Sequence, residues 1–349
     1  MDKAKCGICG NPMSLLVQLY TPEDDPPEAF HRTVYVFCCK TGICHREDWK
    51  KCFKVFRSQL PQENKYYTLA DEPAGTSDDE EEAAPDIILN DFKPPSLCTV
   101  CGGLGDKTCS KCHSVSYCSR EHQMLHWNFG FHKKLCGLRE EVDPQTYSDL
   151  KTRDDNKLAS TLFPEFEVVS GPEKVLTVEE EEEEQREFFK KNMAEEGHVV
   201  EGNNEGFDTT RALVPAGDEI YENTETGVDE AFLDFQRIID REPRQVVRYA
   251  RIEYETEPTT PLWVSDRCKP SEEDIPNCTH CGEPRTFEFQ ILSTLLHYLS
   301  INNTSQDSID WGTLLIYTCQ RNCSGPVYTE EVLWRQDFSE DGVQLRKNV

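Results

Sequence analysis

A chain of 349 residues with 37% hydrophobic content can bury a core over part of its length and hold two or three domains, but it does not read as one globule. Its formal charge of −28 argues against direct DNA binding, which needs lysine and arginine against the phosphates, and favours a basic partner protein. No stretch approaches the roughly 20 apolar residues that cross a bilayer, so no membrane partner is expected; seventeen cysteines, concentrated in short-spaced pairs, point to the reducing cytoplasm and nucleus.

In chain order, Cys6-x2-Cys9-Gly10-Asn11-Pro12 is followed by a β segment, Ser14 to Leu19. Val34-Tyr35-Val36-Phe37 predicts a second strand running into Cys39-x4-Cys44. A C-x2-C turn, two β segments and a second cysteine pair are the layout of a zinc ribbon, so Cys6, Cys9, Cys39 and Cys44 are candidate ligands in an N-terminal half spanning residues 1–70. Cys38 is the alternative neighbour to Cys39, and Cys52 has no partner pair. An acidic linker over 71–95 follows; its residues 71–91 carry nine acids and no lysine or arginine, which predicts disorder.

Residues 96–138 hold the densest ligand pattern: Cys98-x2-Cys101, Cys109-x2-Cys112, Cys118-x3-His122 and His132-x3-Cys136. Interleaved pairing closes one site with Cys98, Cys101, Cys118 and His122, and a second with Cys109, Cys112, His132 and Cys136. So short a segment has little apolar sequence, and two zinc ions must supply the folding energy, on the order of 10 kcal/mol each. The order of these pairs, with Tyr117 and Trp127 among them and the string Tyr117-Cys118-Ser119-Arg120-Glu121-His122-Gln123, resembles the MYND zinc finger. That resemblance implies a protein-interaction module for proline-rich peptides. The stretch between His122 and His132 is slightly long for such fingers, which leaves His126 as an alternative to His132.

A middle segment, 139–170, contains Leu162-Phe163-Pro164-Glu165-Phe166-Glu167-Val168-Val169. The loop over 171–230 carries nineteen acids against five bases, half the net charge of the chain, and reads as disordered with a short helix around Glu187 to Ala194. It is either a solvated linker or an acidic arm that shields a basic client. The C-terminal half, 231–349, repeats the pattern of the first: Cys278-x2-Cys281-Gly282-Glu283-Pro284, a β segment from Phe287 to Leu292, then Leu314-Leu315-Ile316-Tyr317 running into Cys319-x3-Cys323. Cys278, Cys281, Cys319 and Cys323 are thus candidate ligands of another ribbon-like site, and the two halves would hold up to two further zinc ions. The sequel also matches, Val55-Phe56-Arg57-Ser58-Gln59 against Leu333-Trp334-Arg335-Gln336, which suggests duplication. Trp263, Trp311 and Trp334 read as core residues, and Cys268 is unpaired. The expected fold is therefore α+β and β-rich: duplicated zinc-ribbon-like halves forming one body, with an inserted MYND finger and disordered acidic loops.

The whole arrangement resembles the programmed cell death protein 2 family. The matching strings are Cys6-Gly7-Ile8-Cys9-Gly10, Phe30-His31-Arg32 with Phe37-Cys38-Cys39, Val55 to Pro61, the finger, Phe163 to Glu167, Ile275-Pro276-Asn277-Cys278, Asp310-Trp311-Gly312 and Trp334-Arg335-Gln336-Asp337. The resemblance implies a mixed α/β or β-rich body and a dedicated chaperone for a basic small-subunit ribosomal protein of the bacterial S-five type, supporting 40S ribosome biogenesis. Members usually carry a glycine- and tryptophan-rich segment ahead of the first cysteine pair; with five residues before Cys6, the N-terminal sheet is expected to lack an edge strand. An enzyme is not expected. The chain has no phosphate-binding loop or dinucleotide fingerprint, no catalytic SET-like block, and only a distant echo of a zinc deaminase in His45-x-Glu47 and Pro276-x-Cys278-x2-Cys281. The alternative is an adaptor in transcription or cell-death signalling, acting through the finger.

Overall fold

The computed structural model describes residues 4–69, 87–90, 93, 95–130, 132–136, 162–174, 176–195, 229–251, 260–301 and 308–338. Strands β1 (Ser14–Tyr20) and β2 (His31–Cys38), helix α1 (Gly42–Asp48) and strand β3 (Phe53–Leu60) open the chain, followed by a small ribbon of β4 (Tyr67–Leu69) and β5 (Ile87–Leu89). The finger contributes β6 (Lys107–Thr108), β7 (Ser116–Tyr117), α2 (Arg120–Phe129) and α3 (His132–Leu135). Then come α4 (Val178–Glu195), α5 (Glu230–Arg241), β8 (Val247–Tyr249), β9 (Arg285–Leu292), α6 (Thr294–Tyr298), β10 (Thr313–Cys319) and β11 (Thr329–Gln336).

One antiparallel seven-stranded sheet takes strands from both ends of the chain, in the order β1-β2-β3-β11-β10-β9-β8. Two meanders, β1-β2-β3 and β9-β10-β11, meet at β3 and β11, whose register is short: Thr329 opposite Arg57, Glu330 opposite Phe56 and Glu331 opposite Val55. The segments read from sequence around Val55 and Leu333 are these two seam strands.

The sheet is strongly curled. Four strand steps separate β2 from β9, about 19 Å if flat, yet Val34 and Val36 of β2 share a core with Phe289 and Ile291 of β9 and Leu314 and Ile316 of β10. Period-two alternation puts Arg32, Val34 and Val36 on that inner face. Strand β10 is buried at every position because its other face is covered too, Leu315 and Tyr317 packing with Phe287, Ala250 and Trp263. Trp311 is buried in the inner core, while Trp263 and Trp334 pack at the edge of the outer cluster. Helix α5 is capped by Asp229, which accepts from Phe232 N at 3.1 Å, and buries Phe235 against Leu262, Val264 and Leu292.

A buried ion pair closes the curl. The register between β9 and β10 jumps from Phe289 opposite Ile316 to Phe287 opposite Tyr317, so Glu288 is the extra residue of a bulge. The bulge turns its carboxylate inward, where Arg32 Nη2 donates to Glu288 Oε2 at 2.6 Å and Arg32 Nη1 donates to Thr21 Oγ1 at 2.6 Å. Both side chains are fully buried. Burial alone would raise the Glu288 carboxyl, but the Arg32 charge and its hydrogen bonds outweigh it and hold it below the ordinary value.

The acidic loop is more ordered than its composition predicts. Helix α4 begins at Val178, not near Glu187, because Thr177 and Glu180 form a reciprocal capping box: Glu180 N donates to Thr177 Oγ1 at 3.3 Å and Thr177 N to Glu180 Oε2 at 2.9 Å. Glu184 then accepts from Arg237 at 3.0 Å and Arg241 at 2.6 Å on α5. Of the segments expected to be disordered, 71–86 and 196–228 lie outside the described residues.

Replacing Arg32 with Met is expected to cost about 3–5 kcal/mol, because Glu288 is left charged and buried, whereas the Arg32→Met/Glu288→Leu pair should recover most of that loss. Urea midpoints of the metal-loaded protein measure both. Since the folded Glu288 pKa lies below its unfolded value near 4.5, the pair's contribution is present above that value and is lost as pH falls through the lower folded pKa.

Candidate metal centres

Four clusters of cysteine and histidine form, each with its ligand atoms within 4.8 Å of one another: Cys6, Cys9, Cys39 and Cys44; Cys98, Cys101, Cys118 and His122; Cys109, Cys112, His132 and Cys136; Cys278, Cys281, Cys319 and Cys323. All sixteen candidate ligands are placed in these four groups, and the two finger groups interleave.

The local design is the same four times. In each C-x2-C turn the residue after the second cysteine has positive φ: Gly10 at 71°, Gly102 at 68°, His113 at 54° and Gly282 at 79°. Its N–H closes the turn onto the first cysteine's carbonyl, at 2.9 Å for Gly10 to Cys6, 2.8 Å for Gly102 to Cys98, 2.9 Å for His113 to Cys109 and 2.8 Å for Gly282 to Cys278. Three of the four positions carry glycine, the residue that adopts this conformation without strain.

Backbone N–H groups in such turns also aim at the first sulfur, as Ile8 N does at Cys6 Sγ, 3.4 Å away. Burial raises the Cys6 and Cys278 thiols, yet these N–H donors outweigh it, lowering Cys6 and bringing Cys278 to about 7. Cys109 falls to about 6, first through its hydrogen bond with His132 and then through backbone donors; Cys98 is lowered by the sulfurs of Cys101 and Cys118. Each cluster therefore presents one thiol ready to ionise, and a thiolate is the species that binds metal.

The spacings fit a tetrahedral ion. With metal–sulfur and metal–nitrogen distances of about 2.3 and 2.0 Å, a zinc tetrahedron has S···S edges of ~3.8 Å and S···N edges of ~3.6 Å. The S···S separations are 3.9 Å for Cys9–Cys39, 3.7 Å for Cys101–Cys118 and Cys109–Cys136, 3.6 Å for Cys278–Cys323 and 3.5 Å for Cys281–Cys319. Cys98 Sγ lies 3.6 Å from His122 Nδ1, and Cys112 Sγ lies 3.7 Å from His132 Nε2. A disulfide needs about 2.05 Å, so the geometry suits zinc and not oxidation. Four protein ligands complete each site, which makes these structural rather than catalytic centres.

Neighbouring residues separate cleanly from the clusters. His126 does not replace His132: its Nδ1 is 2.9 Å from Tyr117 Oη, and its ring stacks on His132 at 5.2 Å. Cys38 lies outside the cluster, its thiol donating to the Cys39 carbonyl at 3.3 Å, and Cys52 donates to Asp48 O at 3.4 Å. Cys268 is exposed. In the finger, Ser119 caps α2 by accepting from His122 N at 3.2 Å, which sets His122 in the first turn facing Cys98 and Cys118. Sequence reasoning missed Arg57 of β3, whose guanidinium reaches Cys323 of the other half. No local motif announces a contact between residues so far apart.

Family models match at residues 1–74 (Programmed cell death protein 2, N-terminal domain), 98–136 (MYND finger) and 229–337 (Programmed cell death protein 2, C-terminal domain). Programmed cell death protein 2 of Bos taurus is 36% identical over 96% of this chain and 85% of its own length. The chain belongs to the programmed cell death protein 2 family. Within this family the Rattus norvegicus protein is 35% identical, again over 96% of this chain and 85% of its own. The "Probable 20S rRNA accumulation protein 4" of Schizosaccharomyces pombe is 30% identical over 33% of this chain and 28% of its own length. No solved structure matches.

The finger's own core is little more than Val100, Tyr117 and the ligand cysteines, whereas the sheet has a large apolar interior. Chelation at neutral pH is therefore expected to unfold residues 98–136 while β2 and β10 stay protected, as read by amide hydrogen exchange. Persisting protection of the finger in chelator would count against metal-dependent folding. A Cβ on Gly282 would meet nothing within 4 Å, so Gly282→Ala should cost about 1–2 kcal/mol through backbone conformation alone. His113→Gly, at the matching position, should leave the melting temperature unchanged or higher.

Proposed function

We propose that this protein is a dedicated chaperone for a basic small-subunit ribosomal protein of the bacterial S-five type, supporting 40S ribosome biogenesis in the cytoplasm and nucleus, and that it is not an enzyme. The observation that carries this reading is a charge of −28 on a member of a family whose Schizosaccharomyces pombe relative is named for 20S rRNA accumulation. A negative surface speeds encounter with a lysine- and arginine-rich client and keeps the complex soluble. Cys98, Cys101, Cys118 and His122, and Cys109, Cys112, His132 and Cys136, would hold two zinc ions, and the four-cysteine clusters of the two halves one each. With every coordination position filled by protein, the metals serve architecture. The two halves are read as products of an internal duplication, since each carries a knuckle, a three-stranded meander and a four-cysteine cluster in the same order.

A second reading is favoured by one feature of the finger. Leu97, Leu104 and Met124 are exposed at 57%, 49% and 52%. MYND fingers are protein-interaction modules, and such an apolar surface would dock proline-rich peptides, making the protein an adaptor in transcription or cell-death signalling.

Affinity capture from cytosol with the intact chain and with residues 95–140 deleted separates the two. A basic small-subunit ribosomal protein retained by both forms is the expected result; nuclear regulators lost with the finger would favour the adaptor. Raising salt is further expected to slow client association markedly without unfolding the protein, and an association rate indifferent to salt would remove acidic attraction from the mechanism.

A further inference from the structure

The four-cysteine cluster of the C-terminal half is finished by a residue of the N-terminal half. Three of its cysteines have rigid local supports: Cys278 and Cys281 lie in the knuckle, and Cys319 ends β10. Cys323 lies in the irregular segment between β10 and β11, next to Asn322, which has a positive φ of 47°. One local bond closes the turn before it, Asn322 N donating to Cys319 O at 3.2 Å, and further bonds reach it from across the seam. Arg57 Nη1 donates to the Cys323 carbonyl at 3.3 Å and Arg57 Nη2 to Cys323 Sγ at 3.8 Å, while Gln59 Nε2 donates to Asn322 O at 3.1 Å.

The charges around Arg57 point the same way. Arg57 Nε donates to Glu331 Oε1 at 2.7 Å and Arg285 Nε to Glu331 Oε2 at 2.9 Å, with all three side chains no more than 2% exposed. Two buried guanidiniums share one carboxylate, leaving an excess positive charge in a place that water does not reach. A divalent ion on four thiolates carries a net charge of about −2, and the guanidinium that touches Cys323 Sγ sets that excess directly against it. Among the described residues, no hydrogen bond from the C-terminal half reaches Cys6, Cys9, Cys39 or Cys44, so the dependence runs one way.

We propose that Arg57 is a positioning residue of the C-terminal metal centre, so that metal retention by Cys278, Cys281, Cys319 and Cys323 depends on the docking of N-terminal strand β3. Metal and seam are then linked: the ion is held tightly only when the halves are joined, and losing it releases Cys323 and with it a clasp of the seam. Partners in the surroundings of metal ligands typically change affinity by about 10- to 100-fold when removed.

The test uses the full-length zinc-loaded protein. It is challenged with increasing EDTA, alkylated, and read by mass spectrometry as protection of each cysteine. Arg57→Met is expected to expose Cys319 and Cys323 at roughly 10- to 100-fold lower EDTA than the parent, with Cys98, Cys109 and Cys136 unchanged. Arg57→Lys, which keeps the charge without the fork, should fall between. Glu331→Gln loosens the seam but leaves the Arg57 donors to Cys323, so it should shift the C-terminal centre less than Arg57→Met. Unchanged protection in folded Arg57→Met would overturn the proposal. So would equal loss at all four centres, or an equal effect of Glu331→Gln, because either result would make Arg57 a support of the seam alone.

Discussion

The fold depends on closing a seven-stranded sheet onto itself, and the Arg32–Glu288 pair is where its two ends are fastened. Neither group can sit in that interior alone, because an unpaired buried charge costs several kcal/mol. Together, with Thr21 and Thr318 accepting from the two terminal nitrogens of Arg32, their charges are matched only when β2 and β9 come to one register and one distance. Apolar packing supplies the driving force for collapse, but Val34, Val36, Phe289 and Ile291 would tolerate small slips that the bidentate pair does not. The pair therefore selects the degree of curl rather than providing most of its stability.

Backbone pairing alone could not join the halves. Only three register positions connect β3 to β11, a contact shorter than an ordinary hairpin. Side chains complete the seam: Arg57, Glu331 and Arg285 beneath it, and Trp49 edge-on to Trp334 at 5.4 Å above the point where the strands part. Metal and sheet stability are consequently entangled in the C-terminal half. In the finger, by contrast, the candidate ligands themselves are most of the buried core, and a bound metal would be the fold's main source of stability.

What could be read from the sequence was local. A C-x2-C turn closed by a residue of positive φ fixes its own geometry within five residues, so each first ligand pair is legible locally, and the strands around Val34 and Leu314 follow from β-branched and aromatic runs. The alternatives at Cys38 and His126 are decided by the fold: adjacent cysteines differ only in which way the backbone turns them, and His126 is taken up by Tyr117 from within α2. Non-local chemistry stayed hidden: Glu288 and Arg32 are 256 residues apart, and Arg57 and Cys323 are 266 apart. Nothing in Thr286 to Gln290 announces that a bulge turns one glutamate inward. Composition misled on α4, where a glutamate run reads as disorder unless the cap at Thr177 and the arginines of α5 are taken into account.

That helix changes how the acidity of the chain can act. A free acidic coil would spread its charge over a large volume and lose entropy on meeting a basic client. Here Glu184 is held between Arg237 and Arg241, while Glu179 to Glu183 remain exposed on the preceding turns. Their mutual repulsion is eased because the first of them stand at the helix N-terminus, where the macrodipole favours negative charge. The carboxylates are thereby presented as a pre-ordered cluster wrapped around the first turns of α4, and a basic segment meeting that cluster would incur less of the ordering cost than it would with a disordered arm. Ion pairs of Glu184 with Arg237 and Arg241, and of Glu181 with Arg241, hold the carboxylates in place by contacts that salt weakens, so the attraction for the proposed client and the attraction that holds the arm would decline together as ionic strength rises.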